Sequence, residues 1–139
     1  MIKSRIIFLG MTVFLASCVS HLYKYTYPTD FTYIETKDLK TDMQKLAILV
    51  SNLNRSLKAD GVSTSQTQLE IIETLKEMEK IGSNLKSSGA TNHPLIDKNI
   101  DTFRNSLEYA RMSAQRSPPN YYLAGTITGN CASCHSIAP

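Results

Sequence analysis

Apolar residues recur along the middle of the chain at helical spacing. Between residues 36 and 57, Leu39, Met43, Leu46, Val50, Leu53 and Leu57 step by 4, 3, 4, 3 and 4, the a/d seam of a helix packed in a bundle. Asp60-Gly61 supplies a turn and Ser63 or Thr64 a cap. Ile71, Leu75, Met78 and Leu85, with Ile72 and Ile81 beside them, then predict a second amphipathic helix, stopped by Ser87-Ser88-Gly89. Pro94 opens a third helix, with Thr91, Asn92 or His93 as cap and Ile96, Ile100, Phe103, Leu107 and Ala110 as its stripe. Ser117-Pro118-Pro119-Asn120 breaks it, and the fourth element spans residues 121–135 with Leu123, Ile127, Cys131 and Cys134 as its stripe. Gly125, Gly129 and two threonines give that segment poor helix propensity, so it needs something large beside it to supply packing. No alternating β-branched run competes, and the expected fold is all-α, an antiparallel up-and-down four-helix bundle.

The start of the chain breaks this pattern. Lys3 and Arg5 precede an apolar run from Ile6 to Leu15, long enough for the core of a signal peptide and too short for a bilayer span of roughly 20 residues. The run ends in Leu15-Ala16-Ser17-Cys18, which resembles the lipobox of bacterial lipoproteins. That resemblance implies cleavage before Cys18 and lipid attachment to its thiol, hence a signal peptide over residues 1–17. Two or three acyl chains give stable membrane attachment, at about 0.8 kcal/mol per buried methylene. By the sorting rule that goes with the lipobox in enteric-type bacteria, Val19, where Asp would favour inner-membrane retention, implies the outer membrane as destination, on the periplasmic side. Residues 18–35 read as an aromatic-rich tether carrying Tyr23, Tyr25, Tyr27, Phe31 and Tyr33. It is expected to lie extended across the bundle of residues 36–139 and bury some rings, with lipid-headgroup contact as the alternative.

Composition narrows the picture further. The 139 residues carry 42% apolar side chains, which suits one core. The formal charge of +3 provides no polybasic footprint for nucleic acid. It drops to +1, 13 basic against 12 acidic residues, once Lys3 and Arg5 leave with the signal, so charge names no partner. The 3 cysteines are an odd count that argues against a closed disulfide framework.

Two of them stand in Cys131-Ala132-Ser133-Cys134-His135, the attachment signature of c-type haem. Spaced three apart on a helix or tight turn, both sulfurs share a face and can add across two vinyl groups, while the next residue offers an imidazole to iron. A thioredoxin-type dithiol would need a βαβ setting, and a zinc site would need a further ligand that neither His21 nor His93 offers at finger spacing. The cysteine count then resolves into two thioethers to haem and one to lipid.

An exported four-helix bundle with one Cys-x-x-Cys-His almost at its C-terminus resembles the class II cytochromes c, the group of cytochrome c-prime and its low-spin relatives. The resemblance covers residues 37–135, through the motif itself and, along the first three helices, through pattern alone. It implies one covalent haem c, with His135 as axial ligand and a second ligand from the first helix in low-spin members. Met43 matches that place, and Met78 is the fallback. Met112 lies off the stripe of its helix. His21 and His93 are expected as solvated or capping residues, and Arg104, Arg111 and Arg116 as the exposed face and end of the third helix. The aromatic and basic residues that follow the motif in many members are missing from Ser136-Ile137-Ala138-Pro139. Propionate partners therefore cannot be carried over, and Tyr121, Tyr122 or an arginine are the substitutes.

The expected function is a lipid-anchored monohaem electron carrier between redox protein partners, not an enzyme, with self-pairing as in some relatives left open. The rivals are a five-coordinate gas-binding or protective haem protein and a haem-free scaffold or thiol lipoprotein.

Overall fold

Each seam read from the sequence becomes the buried side of a helix. The computed structural model describes residues 28–58, 64–87 and 89–135. The chain divides into two units, Met1–Phe31 and Thr32–Pro139. The described part of the first is a turn closed by Phe31 N–H on the Pro28 carbonyl at 2.9 Å. The signal segment, Cys18, His21, Tyr23, Tyr25, Tyr27, the Asp60-Gly61 turn, Ser63, Ser88 and the last four residues lie outside the described residues.

The second unit is an all-α four-helix bundle built from α1 (Thr36–Lys58), α2 (Ser65–Leu85), α3 (Pro94–Ala114) and α4 (Tyr122–His135). Successive helices pack on one another, and α4 closes the ring against α1. That is the arrangement short connections favour, because the next helix must return beside the last. No described helix is long and apolar enough to cross a membrane.

Leu46 and Leu53 of α1 are buried, with Leu39, Met43, Val50 and Leu57 packed against them at the same core. On α2 the buried set is Ile71, Leu75, Met78 and Leu85, with Gly82 completing the same seam. A Cβ at Gly82 would stand 3.1 Å from Arg104 Cγ and 3.6 Å from the Phe103 ring, so this glycine permits the close approach of α2 and α3. Thr64 caps α2, its hydroxyl accepting from Thr67 N–H at 3.2 Å. On α4 the buried positions are Ala124 and Ile127, with Tyr121 packed on the core. Leu123, expected on that stripe, is 37% exposed. The helix is rotated so that positions three apart, 121, 124 and 127, face inward.

The expected tether differs from expectation where it is described. Residues 32–35 do not lie across the helices but are clasped to the α2–α3 connection. Thr32 bridges Thr91 in parallel, Ile34 N–H donates to Asn92 Oδ1 at 2.8 Å, and Asn92 Nδ2 donates back to the Ile34 carbonyl at 3.0 Å. This reciprocal pair satisfies both backbone groups of Ile34, which packing of rings alone would have left to water. His93 holds the N-cap position of α3 without a side-chain cap bond, and its Nε2 stands 3.3 Å from the Ile34 carbonyl. Cap chemistry comes instead from Asp97 in the first turn, whose carboxylate accepts from Thr91 N–H and from the Thr91 hydroxyl, each at 2.8 Å.

Candidate functional site

The motif forms the last turn and a half of α4, a helix with little inward surface beyond Ala124 and Ile127. A Cβ at Gly125 or Gly129 would meet nothing within 4 Å, so these glycines do not serve close packing of the bundle. The helix leans mainly on α3 and only lightly on α1, where Asn54 Nδ2 approaches Thr128 Oγ1 at 3.4 Å.

Cys131 is exposed and Cys134 half-buried, and both are free thiols. Burial pushes the Cys134 thiol above its ordinary pKa, and the neighbouring Cys131 adds to the shift. The Cys134 sulfur lies 3.9 Å from the Leu95 carbonyl, a weak contact that directs it toward the start of α3.

Beside the motif the bundle holds a hollow of about 180 Å³ that reaches the surface. Cys131, Cys134, His135 and Asn130 form its α4 wall. Met43, Leu46, Ala47 and Val50 of α1 line another side, Met78 and Leu85 of α2 a third, and Ile96, Ile100 and Phe103 of α3 the last. Asn130 and His135 are the only polar residues among these besides the thiols, so the wall is almost wholly apolar. Three of the sequence-predicted residues thus share one hollow with Met43, which stands 88 positions ahead of Cys131 in the chain. Met78 is on the same wall and fully buried.

These residues fit a haem c. Two unpaired thiols three apart, an adjoining imidazole and facing thioethers are the donors that covalent attachment and axial ligation use, and an apolar surround suits a flat macrocycle. The hollow exceeds the ~150 Å³ of a benzene-sized apolar cavity but is smaller than the ~300–1,000 Å³ typical of ligand clefts. Among the described residues no group of three or more His, Cys, Asp and Glu is assembled to hold a bare metal ion.

Other expected site residues fall elsewhere. Tyr121 precedes and Tyr122 opens α4, at the opposite end of that helix from the motif, and neither lines the hollow. Met112 is exposed, in keeping with its place off the stripe. Arg111 is not part of an exposed face: its Nε donates to Glu79 Oε1 at 2.7 Å and both side chains are largely covered. Arg104 folds across Gly82 toward Ser83 and Asp101, which also pairs with Lys86. Those two cations hold the Asp101 carboxyl below its ordinary pKa, the Lys86 hydrogen bond contributing most. Asn130 and Phe103 line the hollow without a motif that marks them. Asn130 stands four residues before Cys134, a spacing that puts both on one flank of a helix. Phe103 was legible only as core.

Comparison with known protein families, with curated proteins and with solved structures finds no match for this chain.

Proposed function

We propose that this chain is an exported, lipid-anchored, monohaem c-type cytochrome that carries one electron between protein partners and catalyses no reaction of its own. The observation that carries the reading is the meeting of Cys131, Cys134, His135 and Met43 on one apolar hollow. When bound, haem c supplies one-electron chemistry between the ferrous and ferric states.

The protein's own residues do the rest. The Cys131 and Cys134 thiols are the points of thioether attachment, and their position on α4 fixes one edge of the group against the bundle. His135 offers an imidazole nitrogen from the end of the same helix, and the thioether of Met43 offers a soft neutral donor from the facing side. Leu46, Val50, Ile100 and Phe103 exclude water, which favours the less charged oxidation state and raises the reduction potential. Cys18 and the segment before it are the proposed anchor, on the resemblance of Leu15-Ala16-Ser17-Cys18 to a lipobox, facing the periplasm and favouring the outer membrane.

Two measurements on the exported protein test this. Haem stain that survives a denaturing gel shows covalent attachment, and its absence from correctly exported protein overturns the reading in favour of a haem-free lipoprotein. A low-spin spectrum with the thioether-to-iron charge-transfer band is the expected signature. High-spin iron that takes up CO or NO readily would instead make the protein a gas-binding or protective one.

A further inference from the structure

We infer that Met78 is a second thioether donor to the same iron, able to take the axial place of Met43; the inference rests on the haem reading above. Nine residues of the three helices facing α4 line the hollow, and seven of them are Leu, Ala, Val, Ile or Phe. Among the described residues on those three walls, the only side-chain atoms that can ligate a metal are therefore the sulfurs of Met43 and Met78.

Helix register puts Met78 within reach. The Asn54–Thr128 approach, together with the shared hollow of Met43–Val50 and Asn130–His135, sets α4 antiparallel to α1, so that His135, seven residues beyond Thr128, stands level with about residue 47 of α1. Leu49 and Glu77 line the same groove between α1 and α2, which brings Met78 to that height as well. Met43 lies four residues nearer the start of α1, about 6 Å along its axis at 1.5 Å per residue. The two sulfurs thus approach the hollow from adjacent helices, one from His135's own level and one from about a turn away. Methionine has three rotatable side-chain bonds and adapts to irregular space, so either chain can extend toward a common point.

Exchange between them would break one iron–sulfur bond and form another. Both donors are neutral thioethers, so no proton or electron moves with the ligand. The functional consequence is an iron that keeps a soft sixth ligand, closed to small molecules, when Met43 is displaced. Met78 differs from Met43 in being fully buried, so it joins the iron only by giving up packing in the α2 seam. That cost makes it the reserve and Met43 the first ligand.

The test uses the haem-loaded protein with Met43→Leu, Met78→Leu and the double substitution, because leucine keeps the volume and removes the donor. Each single variant is expected to retain the thioether-to-iron band and resist CO, whereas the double variant loses the band and binds CO. Loss of the band in Met43→Leu alone, with haem still attached, overturns the inference and leaves the electron-carrier reading standing. Loss in Met78→Leu alone also overturns it, since Met78 would then be the first ligand. Should Met78→Leu fail to fold, the Met43→Leu spectrum decides by itself, because a retained band requires another thioether in the hollow. A wild-type protein negative for haem stain fails at the earlier step and is distinguishable from all of these.

Discussion

The two ends of the bundle are made from the same helices and do different work. Where the second half of α1 meets the first half of α2, the end of α3 and the start of α4, the core is filled: Leu53, Ile71, Leu75, Leu107 and Ile127 are each at most 1% exposed. Gln68 Nε2 reaches the Ala114 carbonyl at 2.9 Å and ties α2 to α3 at this end, as the Lys86–Asp101 pair does at the other. At the other end Leu46, Ile96 and Ile100 remain 6–9% exposed around the hollow, Met78 alone of its lining is fully buried, and the motif thiols and His135 stand on its edge. Stability is concentrated where contacts are complete. The proposed site lies where the same apolar stripes leave room.

The largest expected effect breaks the second end without touching the first. Replacing Cys131 and Cys134 together by Ala is expected to abolish the proposed covalent haem attachment, read as complete loss of haem stain after denaturation. The far-UV circular dichroism of the filled end persists, because neither thiol belongs to the buried core.

Next comes a pair of truncations. Leu107→Ala, at a fully buried site, is expected to cost about 3 kcal/mol in the haem-free chain by denaturant unfolding. Ile100→Ala, whose side chain already faces the hollow, has fewer contacts to lose and is expected to cost about half of that. Equal costs would mean that the two ends are packed alike.

A pH series sharpens the contrast at the thiols of the haem-free chain. Burial holds Cys134 protonated in the folded state to higher pH than in the unfolded one. The folded chain then binds more protons across the ordinary thiol range, so stability falls as pH rises through it. Equilibrium unfolding at neutral and alkaline pH reads this directly. Cys134 should also be alkylated more slowly than exposed Cys131, and the reverse order would contradict the half-buried placement.

The smallest effect lies at the filled end. The Tyr121 hydroxyl is buried with no hydrogen-bond partner among the described residues, and burial raises its pKa. Tyr121→Phe removes an unsatisfied polar atom and is expected to raise stability by up to about 1 kcal/mol, measured as a higher denaturation midpoint. A loss instead would reveal a partner for that hydroxyl.

Legibility followed the strength of the periodic signal. The seams of α1, α2 and α3 carry large apolar residues at every step, so burial had one low-energy solution and the pattern announced it. In α4 only Leu123, Ile127 and the cysteines suggested a stripe, and with so little apolar surface a small rotation exchanges Leu123 for Ala124. The clasp of residues 32–35 was hidden because Asn92 bonds backbone atoms 58 positions away, which no local rule anticipates. The grouping of Cys131, Cys134 and His135 on one wall was readable because it depends only on spacing along a single turn. Asn130 and the shared wall of Met43 and Met78 were not, since membership of a hollow depends on three other helices.

By itself the sequence determined that four helices form, where three of them turn their apolar faces, and that two thiols and an imidazole sit together at the end of the last. These are local properties of propensity, period and spacing. Only the tertiary structure decided that Met43 and Met78 face those groups across one apolar hollow, that Arg111 is spent on Glu79, and that the chain before α1 is clasped to the α2–α3 connection. The physical reason is the same for all three: each depends on the rotation and register of one helix against another, which the summed packing of the bundle sets and no single helix encodes.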